Sequence, residues 1–60
     1  MTKAIVVEYV AFKEGVEITA GSTTIFGSKT YNKLMIQALN GLRYRYDGCT
    51  VYANKVNILL

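Results

Sequence analysis

The chain has 60 residues, 52% of them apolar and 18% charged, with a net charge of +3 and no histidine, proline or tryptophan. One small domain is the only count that fits this length. A single cysteine closes no disulfide within the chain, and without histidine there is no soft-metal ligand set, so neither metal nor cofactor is expected.

A domain of this size buries only about 60% of the surface its unfolded chain exposes. Small domains offset that shortage with disulfides, metals or oligomerisation. Only the last is open here, so a homodimer or higher oligomer is expected. The apolar run from Ala4 to Phe12 is interrupted by Glu8. It lacks a small-residue cleavage site and is far shorter than the ~20 residues a bilayer span needs. The expectation is a cytoplasmic protein with no membrane role.

Residues 4–12 are β-branched and aromatic and predict a strand. A three-residue loop, Lys13-Glu14-Gly15, would return the chain into residues 16–20. That register pairs Phe12 with Val16 and Val10 with Ile18 on one face, and avoids setting Phe12 against Glu17. Residues 22–26 are compatible with a short third strand after an Ala20-Gly21 turn, or with a loop.

Residues 29–40 predict the helix, with Ser28 as N-cap and Gly41 as C-cap. Tyr31, Leu34, Met35, Ala38, Leu39 and Leu42 form one apolar stripe at helical spacing. Ile36 lies off that stripe and is a candidate contact residue. Residues 42–53 then predict a second hairpin about Asp47-Gly48, pairing Tyr46 with Cys49, Tyr44 with Val51 and Leu42 with Ala53. The tail, with Val56, Ile58 and Leu60 alternating, either continues the strand or adds an edge. The order β-β-(β)-α-β-β predicts an α+β domain: a small antiparallel sheet of two hairpins with one helix on one face.

Catalysis is disfavoured. General acid–base chemistry wants histidine or a tuned carboxylate pair. Glu14 and Asp47 fall in turns, Glu17 on a solvent face, and Glu8 at a wet sheet margin. Cys49 has no histidine beside it and is expected to fill space next to Tyr46. The stretch Gly21–Thr30 fails the phosphate-loop spacing, with five residues between its glycines and Ser28 before Lys29.

Two surfaces remain. With Val10 and Phe12 placed under the helix, Ile5, Val7 and Tyr9 face outward. With Ile58 and Leu60 they form the expected oligomer interface. The second surface is a sheet face carrying Arg43, Arg45, Thr50 and Tyr52, supported by Lys29 and Lys33. It is expected to bind another protein, since Tyr and Arg dominate contact hot spots. The sequence therefore predicts a non-enzymatic, self-associating protein-binding module. Its size suits a small inhibitor or modulator such as phages and mobile elements encode. The alternative is a small basic nucleic-acid-binding protein, with those cations and Lys55 on phosphates and Tyr52 as a stacking platform.

Overall fold

The computed structural model describes all 60 residues. Three strands and one helix follow in the order β1 (Lys3–Lys13), β2 (Val16–Gly27), α1 (Tyr31–Arg45) and β3 (Thr50–Ile58). The strands form one antiparallel sheet in the order β2-β1-β3, so the most apolar strand is central. The chain is an α+β domain, but with three strands rather than two separate hairpins.

The first turn is tighter than expected. Lys13 pairs with Val16, leaving Glu14 and Gly15 as a two-residue turn. Both have positive φ, 52° and 78°, the conformation that a type I′ turn imposes. Phe12 therefore does stand opposite Glu17. One extra residue on β2, a β-bulge at Ile18, then resets the register so that Ala11 meets Thr19 and Val10 meets Ala20.

Residues 22–26 are not a third strand. They continue β2, and Ala20 and Gly21 remain in its ladder opposite Val10 and Tyr9. Gly21 has a packing reason to be glycine. A Cβ there would lie 3.1 Å from the Tyr9 hydroxyl, because the Tyr9 ring covers it.

The two faces of β1 are the reverse of the expected ones. Ile5 and Val7 pack with Leu34 and Ala38 of the helix, and Tyr9 and Ala11 pack with Leu42 and Val51. Ile5, Val7 and Tyr9 are thus the core of the protomer, not an outer interface. Ile5 and Val7 have no accessible surface at all. The physical reason is the alternation along the strand. Between the terminal Lys3 and Lys13 the odd positions, Ile5, Val7, Tyr9 and Ala11, are uniformly apolar, whereas the even set, Ala4, Val6, Glu8, Val10 and Phe12, contains a carboxylate. Burying Glu8 under the helix would cost more than exposing Val6.

The helix begins at Tyr31, two residues later than expected, because Thr30 rather than Ser28 caps it. The Thr30 hydroxyl accepts a hydrogen bond from the Lys33 N–H at 3.3 Å. Its apolar stripe is as expected from Leu34 onward: Leu34, Ala38 and Leu42 are buried, with Met35 and Leu39 half-buried beside them, whereas Tyr31 at its start is exposed. Gly41 does not end it. The helix runs on to Arg45, and Tyr46 joins the same stripe one turn beyond Leu42.

The second hairpin consequently does not form. The turn about Asp47-Gly48 exists, with Gly48 at φ 82° and the Cys49 N–H donating to the Tyr46 carbonyl at 3.1 Å. It joins helix to strand. Val51 pairs with Ala11, not with Tyr44. The tail does continue β3. Beyond Ile58, the Leu59 N–H donates to the Ala4 carbonyl at 2.8 Å, and the Tyr31 hydroxyl donates to the Leu60 carbonyl at 2.7 Å.

One polar contact lies inside the core. The hydroxyls of Tyr9 and Tyr46 are 3.2 Å apart. That hydrogen bond, then burial and the nearby Tyr46 phenol, raise the Tyr9 pKa above its ordinary 10.0, against a smaller lowering by Arg45. A raised folded-state pKa means stability that is whole below the unfolded pKa and is lost as pH rises through the folded one. We predict that the urea midpoint is flat up to about pH 9 and falls as pH rises through and above about 10, and falls less in Tyr46→Phe. An equally steep fall in the variant would show that this pair is not the source.

Candidate functional site

The residues expected to form one basic–aromatic sheet face are split between opposite sides of the molecule. Arg43 and Arg45 are in the last turn of α1, where their charge complements the helix dipole. Lys33 lies in its first turn, and Lys29 just precedes the Thr30 cap. Thr50 and Tyr52 lie on β3 opposite Phe12 and Val10, on the sheet face away from the helix. Tyr52 packs edge-on against Phe12, with ring centroids 5.9 Å apart, and does not stack on Arg43. Two of the expected interface residues, Ile58 and Leu60, are exposed.

What comes together instead is the outer side of α1. Lys33, Gln37, Asn40 and Tyr44 recur at i, i+4, i+7 and i+11, and Ile36 and Arg43 flank them. All six are exposed. Lys29, Lys33, Ile36, Gln37 and Asn40 line an open groove along this side. Tyr44 is 90% exposed and Ile36 47%, so neither is used by the core. At the N-terminal end Lys3 adds a third cation. Its Nζ is 3.5 Å from the Ser28 carbonyl oxygen and 5.7 Å from the centre of the Tyr31 ring.

The electrostatics are one-sided. No Asp or Glu occurs from Ile18 to Tyr46, and Lys29, Lys33, Arg43 and Arg45 all fall within that stretch. The first turn of the helix has no acidic residue to offset its positive end. The carboxylates lie elsewhere. Glu14 and Glu17 sit at the β1–β2 turn, Asp47 follows the helix, and Glu8 is half-buried on the outer sheet face, in register with Lys55.

Sequence reasoning found Ile36 but missed Tyr44. The alternation Arg43-Tyr44-Arg45-Tyr46 reads equally as a strand, which turned Tyr44 toward the core. Counting the helical stripe on from Leu42 to Tyr46 would have placed Tyr44 on the opposite side. Cys49 is half-buried against the Tyr9–Leu42 cluster with Tyr46, as expected of a space-filling thiol. No three His, Cys, Asp or Glu side chains cluster in a way that would hold a metal ion. No helix is long and apolar enough to cross a membrane. No family model, curated protein or solved structure matches the chain.

Proposed function

We propose that the chain is a non-enzymatic, self-associating protein-binding module, a small inhibitor or modulator acting in the cytoplasm. Its working surface is the outer face of α1, and the partner that fits it is an acidic surface on another protein. The observation that carries this reading is the combination on one helix of unopposed cations with exposed Tyr44 and Ile36. Aromatic and arginine side chains anchor protein contacts, and a single-sign rim steers an oppositely charged partner toward them. The lack of histidine, and the placing of the carboxylates at the β1–β2 turn, on the outer sheet face and after the helix rather than on the α1 face, support a binding role over a catalytic one.

Nucleic acid is the second reading, favoured by one feature. Gln37 and Asn40 lie between the cations, and side-chain amides at such positions pair with base edges. The stacking role foreseen for Tyr52 is not part of it, since Tyr52 is on the other side of the molecule.

Capture from nuclease-treated cell lysate separates the two. Relative to the unaltered chain, we predict that Lys33→Glu combined with Arg43→Glu lowers partner retention at least about ten-fold. Tyr52→Ser, on the opposite face, leaves retention unchanged. Equal retention by the charge-reversed protein contradicts the protein-binding reading. Binding to mixed-sequence duplex or RNA, with a log–log salt slope of about −0.7 to −0.9 per phosphate contact, supports the nucleic-acid reading instead.

A further inference from the structure

The two edges of the sheet are built differently. β3 carries Lys55 and an extra residue, Asn54, that breaks its register with β1 halfway along. A lysine and a bulge are two of the devices that keep an edge strand from pairing with other chains. β2 has neither in its central part. It is 12 residues long, holds no Lys, Arg or Pro, and its only charge, Glu17, sits beside the turn. Its one bulge lies at that same end.

We infer that β2 is the self-association edge, pairing antiparallel with β2 of a second copy about a two-fold axis through Ser22. This rests on the self-association part of the function proposed above. From Ala20 to Phe26 the even-numbered residues of β2 share the outer face, because Phe26, Thr24, Ser22 and Ala20 pair with Ala4, Val6, Glu8 and Val10; the bulge at Ile18 ends that parity. Keeping both helices on one side of a continuous sheet requires even residues to meet even ones, hence a residue at the centre.

Centring on Ser22 sets Ile18 opposite Phe26 of the second copy, and the converse. These two side chains are 50% and 65% exposed in the single chain. The same register sets Ala20 against Thr24 and Thr19 against Ile25, and leaves Glu17 beyond the apolar pair. Moving the centre to Gly21 puts Glu17 against Ile25. Moving it to Thr23 puts Ile18 against Ser28. The Gly21 centre also brings an exposed apolar pair into register, Val16 against Phe26, but Val16 lies beyond the bulge, opposite Lys13, and the same centre sets Glu17 against Ile25. The Ser22 centre matches Ile18 with Phe26 and keeps Glu17 clear of both, and cross-strand apolar pairs are what stabilise a ladder.

A face-to-face dimer through the outer sheet surface is the competing arrangement. It would take Glu8 and Lys55 out of water from the middle of that surface, which is costly. Edge pairing leaves both in water. It also leaves the outer side of both helices free.

Sedimentation at micromolar concentration tests the inference with the full chain. The unaltered protein is expected to be a dimer. Ile18→Lys alone and Phe26→Glu alone should each weaken association by about ten-fold or more. Both replacements are at exposed positions, and far-UV circular dichroism checks that each variant is folded. Combined in one chain, they should restore the dimer to within about three-fold of its original affinity, because the two introduced charges then meet across the axis. A monomer in the unaltered chain overturns self-association itself. A dimer indifferent to both single replacements keeps self-association and overturns the β2 edge. Weakening without rescue overturns the register centred on Ser22.

Discussion

Val7→Glu is expected to abolish folding, whereas Val6→Glu one residue away should leave the chain folded. Val7 has no accessible surface and touches the Leu34–Ala38 side of α1. An ionised carboxylate there has no partner, and the cost of burying it is several kcal/mol at the least. A 60-residue domain has a total stability of roughly 3–9 kcal/mol, so that cost removes the native state. Val6 points to the other side, between Thr24 and Asn57, and is only half-buried. Far-UV circular dichroism and dispersion of the amide NMR spectrum decide it. A folded Val7→Glu chain, or a pair of variants that behave alike, would show that the faces of β1 have been assigned wrongly.

Leu34→Ala is expected to cost about 3 kcal/mol, within the range of 2–5 found for buried leucines. Leu34 is 1% exposed and joins α1 to Ile5 and Val7. It also reaches over the end of β2, where a Cβ on Gly27 would come within 2.8 Å of its Cδ2. Removing it opens space between the helix and two strands at once, and the small domain has few other contacts to hold them. The loss is read from the urea midpoint at unchanged slope. Ile36→Ala, on the free side of the same helix, should change stability by no more than about 0.5 kcal/mol. A Leu34→Ala cost as small as that would mean that the apolar stripe of α1 does not face the sheet.

These two predictions depend on features that are unequally legible in the sequence. The helix stripe is legible because six apolar residues repeat at helical spacing and polar ones fill the other side. The alternation on β1 is not, since both its faces are rich in Val, Ile, Ala and aromatics. Only Glu8 separates them, and its parity marks the solvent face. That signal is outweighed by a preference for keeping Phe12 away from Glu17 in the turn. The type I′ geometry at Glu14-Gly15 accepts that pairing, and the bulge at Ile18 corrects the register one step later.

The end of the helix is hard to read for a related reason. A glycine inside a helix costs only about 1 kcal/mol. Leu42 and Tyr46, both packed on the Tyr9 cluster, offset that cost and carry the helix through Gly41. Once residues 43–45 are helical, Arg43 moves off the sheet and onto the free side of α1, whereas Arg45, three residues beyond Leu42 and seven beyond Ala38, lies on the side of Thr23 and Ile25 of β2. The candidate site thus keeps Lys29, Lys33 and Arg43, but loses Arg45, Thr50 and Tyr52 and gains Tyr44. The expected oligomer surface changes more, because Ile5, Val7 and Tyr9 are consumed by the core.

The most direct measurement is an amide NMR spectrum of isotope-labelled protein mixed with unlabelled, nuclease-treated cell lysate. It maps the contact on this chain whatever the partner's identity. We predict that resonances of Lys33, Ile36, Gln37, Asn40, Arg43 and Tyr44 shift or broaden first, while those of Val6, Val10, Phe12 and Tyr52 stay in place. Changes confined to the outer sheet face, with the α1 resonances unmoved, would contradict the assignment of α1 as the working surface.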